Sequence, residues 1–183
     1  ILRTISTPDK YGRTGDPWGP QVEPTFFSHK IHQIRHPLSY ISNDPFSCLE
    51  ESRSLIVEVL GPEKFSSDIT TTNSKDDLLF FHMVVWHEWN LMAEDLCDWS
   101  YRIESLSEVV EDFVVKIGSP DILEKLKKEI KGLPKNINSR KKLSDYNLKN
   151  EMTWLDLENC DKNLAQKIKD QTVRYGYNLA RSL

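Results

Sequence analysis

Apolar and polar residues alternate with changing period along this chain, and the changes divide it into elements. Phe26 to Ile34 reads as the first strand, carrying His32 and Gln33 among its apolar residues. Pro37 then suits the first position of a helix. From Pro45 to Leu60 the apolar positions Phe46, Leu49, Leu55, Ile56 and Val59 fit a helix closed by Gly61-Pro62, and Glu63 to Asp77 reads as a loop. Leu78 to Leu96 is the longest apolar segment: Leu78, Phe81, Val85, Trp89, Met92 and Leu96 fall near helical spacing, widened by Phe80, Val84 and Leu91. This predicts a central core helix.

A short strand follows at Trp99 to Ile103. Ser105-Leu106-Ser107-Glu108 is a capping-box sequence, and Val109, Val110, Phe113, Val114 and Ile117 mark a helix face that Gly118 ends. Ser119-Pro120 restarts a helix with Ile122, Leu123, Leu126 and Ile130 as its face and Gly132 as its stop. Asp161 caps the last helix, with Leu164, Ala165 and Ile168 inward and Gly176 at its end. Residues 1–27, rich in Pro, Gly, Thr and charge, read as a loop-rich arm; residues 28–183 read as one α-rich α/β domain with few parallel strands flanked by helices.

Composition narrows the function classes. The chain has 183 residues, 38% hydrophobic and 28% charged, enough for a sizeable core. A net charge of −4 argues against a general nucleic-acid binder. No apolar run approaches the ~18 residues of a membrane span. Cys48, Cys97 and Cys160 are far apart and odd in number, neither a zinc pattern nor a disulfide framework, and as reduced thiols they fit a reducing, cytoplasmic compartment. No metal site is read: His82 and His87 lack the His-Glu-x-x-His spacing that sets two imidazoles on one helix face.

The candidate chemistry lies where the first strand meets the first helix. Arg35 stands at the carboxyl end of the strand, where open α/β sheets hold ligands, and its planar fork of donors matches phosphate oxygens. The alternative for Arg35 is a salt bridge to Asp44 or Glu50; for Ser42 and Asn43 it is ordinary helix-end hydrogen bonding. Strand alternation sends His29 and His32 to opposite faces. Trp86 and Trp89 fit core packing, with stacking on a base as the sharper role.

At these residues the chain resembles the sulfotransferases that use the nucleotide donor PAPS. Arg35-His36-Pro37-Leu38 is similar to the family's strand-end Arg-x-Pro-Leu, after which a serine eight residues beyond the arginine helps hold the donor's 3′-phosphate. Here that position is Asn43, with Ser42 one step earlier, and Pro45 implies that the helix stops short and restarts. Trp86-His87-Glu88-Trp89-Asn90 followed by Arg102-Ile103-Glu104-Ser105-Leu106 resembles the family's aromatic helix and Arg-x-Glu-x-Leu strand end. Met152-Thr153-Trp154-Leu155-Asp156-Leu157 and Tyr175-Gly176-Tyr177 resemble the tail of its microbial-type members.

The resemblance implies a P-loop-NTPase-like sulfotransferase fold that moves a sulfuryl group from PAPS to a hydroxyl or amine acceptor. Arg35, Ser42 and Asn43 then bind the donor, and Arg140 closes over the nucleotide. The family's glycine-rich phosphate loop is missing: Tyr11 to Pro17 follows no apolar strand and opens no apolar-periodic helix. The expectation is therefore a C-terminal part of a larger protein, inactive alone, or a domain that has lost its catalytic half. No general base is assigned. A non-catalytic nucleotide- or polyanion-binding remnant of the fold and a P-loop kinase fragment stand as alternatives.

Overall fold

A computed structural model describes residues 30–43, 50–66, 68–72, 74–132 and 152–180. The described part is mostly helical with one two-stranded parallel sheet. In chain order it comprises β1 (Ile31–Ile34), α1 (Pro37–Asn43), α2 (Glu50–Leu60), α3 (Lys75–Leu96), β2 (Trp99–Arg102), α4 (Leu106–Lys116), α5 (Leu123–Gly132), α6 (Trp154–Cys160) and α7 (Lys162–Arg174). Short 3-10 turns precede α4 and α5 and follow α2. The parallel register runs from Ile31 opposite Trp99 to Ile34 opposite Arg102. Parallel neighbours need a long crossover, and α1, α2 and α3 supply it.

The described residues fall into two compact units. One holds β1, the turns of α3 from Asn90 onward, β2, α4 and α5. Its sheet is braced by aromatic rings: Trp99 stacks on Tyr101 at 5.4 Å, and Phe113 of α4 meets both. Val110 and Val114 are the buried face of α4. His32 is fully buried on β1, and one ring nitrogen is 2.8 Å from the Asn90 side-chain oxygen. Burial lowers the pKa of that imidazole below its ordinary value, and the hydrogen bond it donates to the Asn90 oxygen opposes the shift in part.

The other unit holds α1, α2, α3 through Trp89, α6 and α7. Its core joins Leu38 and Ile41 of α1, Met83 and Trp86 of α3, Met152 and Leu157 at α6, and Ala165 and Ile168 of α7. Asp161 separates α6 from α7 by itself. Its backbone is extended, its N–H closes α6 on the Leu157 carbonyl, and its carboxylate caps α7 at the Leu164 N–H. Gly176, at φ 78°, closes α7 with a Schellman turn in which the Tyr177 N–H reaches the Thr172 carbonyl at 3.1 Å.

Several sequence expectations are corrected. The capping box expected at Ser105 does not form, although α4 is there: Ser105 has φ −104° and ψ 14° and its side chain caps nothing. A 3-10 turn at Ile103–Ser105 leads into it, so Ser105 lacks the extended backbone that aims a hydroxyl at the helix. The box that does form lies at α6, where Thr153 accepts from the Asp156 N–H and Asp156 accepts from the Thr153 N–H. α3 is buried on every side from Phe81 to His87 rather than along a stripe, and it begins at Lys75, inside the expected loop. On α2, Leu60 takes the inward place four residues after Ile56, and Val59 is 40% exposed. β2 stops at Arg102, one residue short of the expectation. Pro120 opens a 3-10 turn, and α5 proper starts at Leu123, with its apolar face only half-buried. Phe26 to His29, Phe46 and Leu49 lie outside the described residues.

Candidate functional site

The chain leaves β1 at Ile34, passes through Arg35 and His36, and enters α1 at Pro37. Leu38 and Ile41 are apolar residues three apart on α1, and both are buried in the core with Met83 and Trp86. That burial fixes the helix on which the candidate residues stand. The His36 carbonyl accepts the first helical bond, from the Tyr40 N–H at 2.9 Å. α1 has seven residues and no acidic side chain in its first turn.

Arg35 is half-buried. Among the described residues no carboxylate comes within ion-pair distance of its guanidinium. Of its two alternative partners, Asp44 lies outside the described residues, as does the Glu50 side chain. The Arg35 backbone is held from the side: the Trp86 indole Nε1 donates to its carbonyl at 3.0 Å. A hydrogen bond from a buried indole to a main-chain carbonyl fixes a peptide plane, and so fixes where the side chain departs.

Ser42 sits near the other end of α1, about 7.5 Å further along the axis than Pro37 at the usual rise. It is buried, and its hydroxyl donates to the Ser39 carbonyl at 3.5 Å, a bond within the helix itself. Asn43 is the last residue of α1, and its side chain lies outside the described residues. Arg140 and the stretch Tyr11 to Pro17 lie outside them too. Of the four donor-binding candidates, Arg35 and Ser42 are the two whose side chains lie among the described residues.

The histidines are built into packing. His36 is 2% exposed, with Trp154 and Tyr177 edge-on at 6.0 and 5.0 Å. Gly176, by turning the chain after α7, puts Tyr177 there. His82 is buried with Tyr40 and Phe81 against it. His87 sets its Nδ1 2.7 Å from the Gln171 side-chain oxygen. The Gln171 amide nitrogen donates to the Tyr175 hydroxyl at 2.9 Å, and the His87 carbonyl lies 3.4 Å from it. With the amide nitrogen so committed, the amide oxygen faces Nδ1 and accepts from its N–H.

A second arginine escaped sequence reading. Arg53 of α2 is 3% exposed and donates Nη1 to the Thr72 carbonyl at 2.8 Å, tying α2 to the segment before α3. Thr72 in turn donates its hydroxyl to Asp77 at 2.8 Å. Nothing in the spacing around Arg53 marks it as buried. The thiol of Cys160 is held protonated: burial first, then Asp76, Asp161 and Asp77, push its pKa up to about 11. Among the described residues no three His, Cys, Asp or Glu side chains converge on a metal-sized site, and no helix is long and apolar enough to cross a membrane.

What the arrangement offers is a half-buried guanidinium at the end of a parallel strand, with its backbone fixed and with no described acid neutralising it. Such a group can take an oxyanion by charge-assisted hydrogen bonds. No family model, curated protein or solved structure matches the chain.

Proposed function

We propose that this chain is the α-rich portion of a sulfotransferase-like protein of P-loop-NTPase-like fold, and that Arg35 binds the 3′-phosphate of the nucleotide donor PAPS. One observation carries the reading: Arg35 leaves a parallel strand half-buried and with no described carboxylate paired to it. A cation in that state is stabilised by an incoming phosphate, since its own desolvation is already partly complete. The order of the resembling segments from Arg35 to Tyr177 supports the same assignment.

In the proposed reaction the sulfuryl group passes in line to a hydroxyl or amine acceptor: its S–O bond to the donor's 5′-phosphate breaks as the S–O or S–N bond to the acceptor forms, the desulfated nucleotide leaves, and the acceptor's proton passes to solvent. Arg35 acts at a distance from the reacting sulfur, by fixing the far end of the donor and so reducing the orientational freedom lost in the transition state. The 5′-phosphosulfate end needs a phosphate-cradling loop, a motif that the 183 residues do not contain.

Ser42 favours a second reading, a non-catalytic nucleotide-binding remnant of the same fold, because it is buried and its hydroxyl reaches the Ser39 carbonyl of its own helix. Titration calorimetry with adenosine 3′,5′-bisphosphate and with adenosine 5′-monophosphate tests the shared claim. The bisphosphate binds at least about tenfold more tightly, as a charge-assisted contact of ~1.5–3 kcal/mol requires, and Arg35→Ala removes the difference. Equal affinity for the two nucleotides overturns the assignment. Release of desulfated nucleotide from PAPS, supplied with alcohols and amines, then separates enzyme from remnant.

A further inference from the structure

The indole that holds Arg35 is itself held by the end of the chain. Trp86 is 3% exposed, and its ring meets the Tyr175 ring edge-on at 6.1 Å. The Tyr175 hydroxyl accepts from Gln171, which is 2% exposed and bonded to His87 one residue after Trp86. The bracing thus runs from α7 through Tyr175 to Trp86, and through the indole N–H to the Arg35 carbonyl at 3.0 Å. On the other side of Arg35, Pro37 restricts His36 to extended backbone, so the peptide between Arg35 and His36 is constrained from both directions.

From this geometry we propose that Trp86 is a positioning residue for anion recognition by Arg35, a role that rests on Arg35 being the ligand of the 3′-phosphate. The guanidinium has four side-chain torsions to order when a phosphate arrives. A fixed root leaves those alone to be ordered, whereas a backbone free to rotate adds its own entropy to the cost. Trp86 therefore sets how strongly the site prefers a nucleotide carrying a 3′-phosphate over one without it. A packing role alone would affect folding and leave that preference unchanged.

The test reads the Trp86 indole N–H in a proton–nitrogen spectrum, assigned by its absence in Trp86→Phe. Adenosine 3′,5′-bisphosphate shifts that signal, because charge on Arg35 repolarises the carbonyl it bonds, and adenosine 5′-monophosphate leaves it in place. Trp86→Phe keeps a ring against Tyr175 and lowers the preference for the bisphosphate at least about fivefold, with affinity for the monophosphate unchanged. Bisphosphate binding that leaves the wild-type signal unmoved overturns the positioning role, whether or not the variant folds. So does a Trp86→Phe protein with full preference. Wild-type protein without any preference for the bisphosphate sinks the reading of Arg35 itself, and the role of Trp86 with it.

Discussion

Gln171→Leu removes the side chain that joins α7 to α3 while nearly conserving volume, so its effect isolates hydrogen bonding from cavity formation. Gln171 is 2% exposed and serves three partners: His87 Nδ1 at 2.7 Å, the Tyr175 hydroxyl at 2.9 Å and the His87 carbonyl at 3.4 Å. The third is long enough to contribute little. Each of the first two is worth ~1 kcal/mol net, and a buried donor left without a partner adds ~1–3 kcal/mol. The His87 Nδ1–H is such a donor, since His87 is 8% exposed. Apolar gain from the leucine offsets about 1 kcal/mol. The sum is a loss of about 2–4 kcal/mol, read from the urea midpoint with the slope unchanged. Gln166→Leu is the control: it is exposed, bonds only Asp170 one turn on, and costs less than about 0.5 kcal/mol. A Gln171→Leu midpoint within about 0.5 kcal/mol of wild type refutes the network as a source of rigidity at Trp86.

Thr153→Ala destabilises by about 1 kcal/mol in thermal melts, since it removes a formed capping box, whereas Ser105→Ala changes stability by less than about 0.5 kcal/mol because that side chain caps nothing. Equal losses contradict the assignment of the two caps. His32 has its pKa lowered by burial, so the unfolded chain binds the extra proton first; stability is full above pH ~6.5 and falls as pH drops below it, and His32→Gln flattens that fall in urea titrations at pH 7.5 and 5. An unchanged pH slope in the variant shows that His32 is not the group responsible. Cys160, with its pKa pushed up to about 11, is alkylated by iodoacetamide at pH 7.5 at least about 100-fold more slowly than free cysteine, measured by mass spectrometry, until denaturant exposes it. Labelling at the free-thiol rate contradicts its half-buried, acid-flanked setting.

Local pattern carried much of this fold. Glycines at 118 and 176 and the apolar spacing of α4 and α7 announce where those helices end, because the positive φ of a closing turn is a local demand. Asp161 is legible as a cap for the same reason. The capping signature at Ser105 misled because a hydroxyl caps only from extended backbone, and the 3-10 turn before it takes that conformation away. Thr153-x-x-Asp156 carries the same type of signal with an aspartate in the last place, and it is the one that forms. What the sequence hides is tertiary. Trp86 finds the Arg35 carbonyl across 51 residues and His87 finds Gln171 across 84, and neither partner has a spacing rule. The same holds for Arg53, which is buried and finds the Thr72 carbonyl across 19 residues. The place of Arg35, between a strand and a proline-started helix, was legible because it is written in consecutive residues.

The direct test of the central claim is a pair of calorimetric titrations of this chain, with adenosine 3′,5′-bisphosphate and with adenosine 5′-monophosphate, repeated on Arg35→Ala. The wild-type chain prefers the bisphosphate at least about tenfold, and the preference disappears in the variant. A wild-type chain that treats the two nucleotides alike, or a variant that keeps the preference, contradicts that claim.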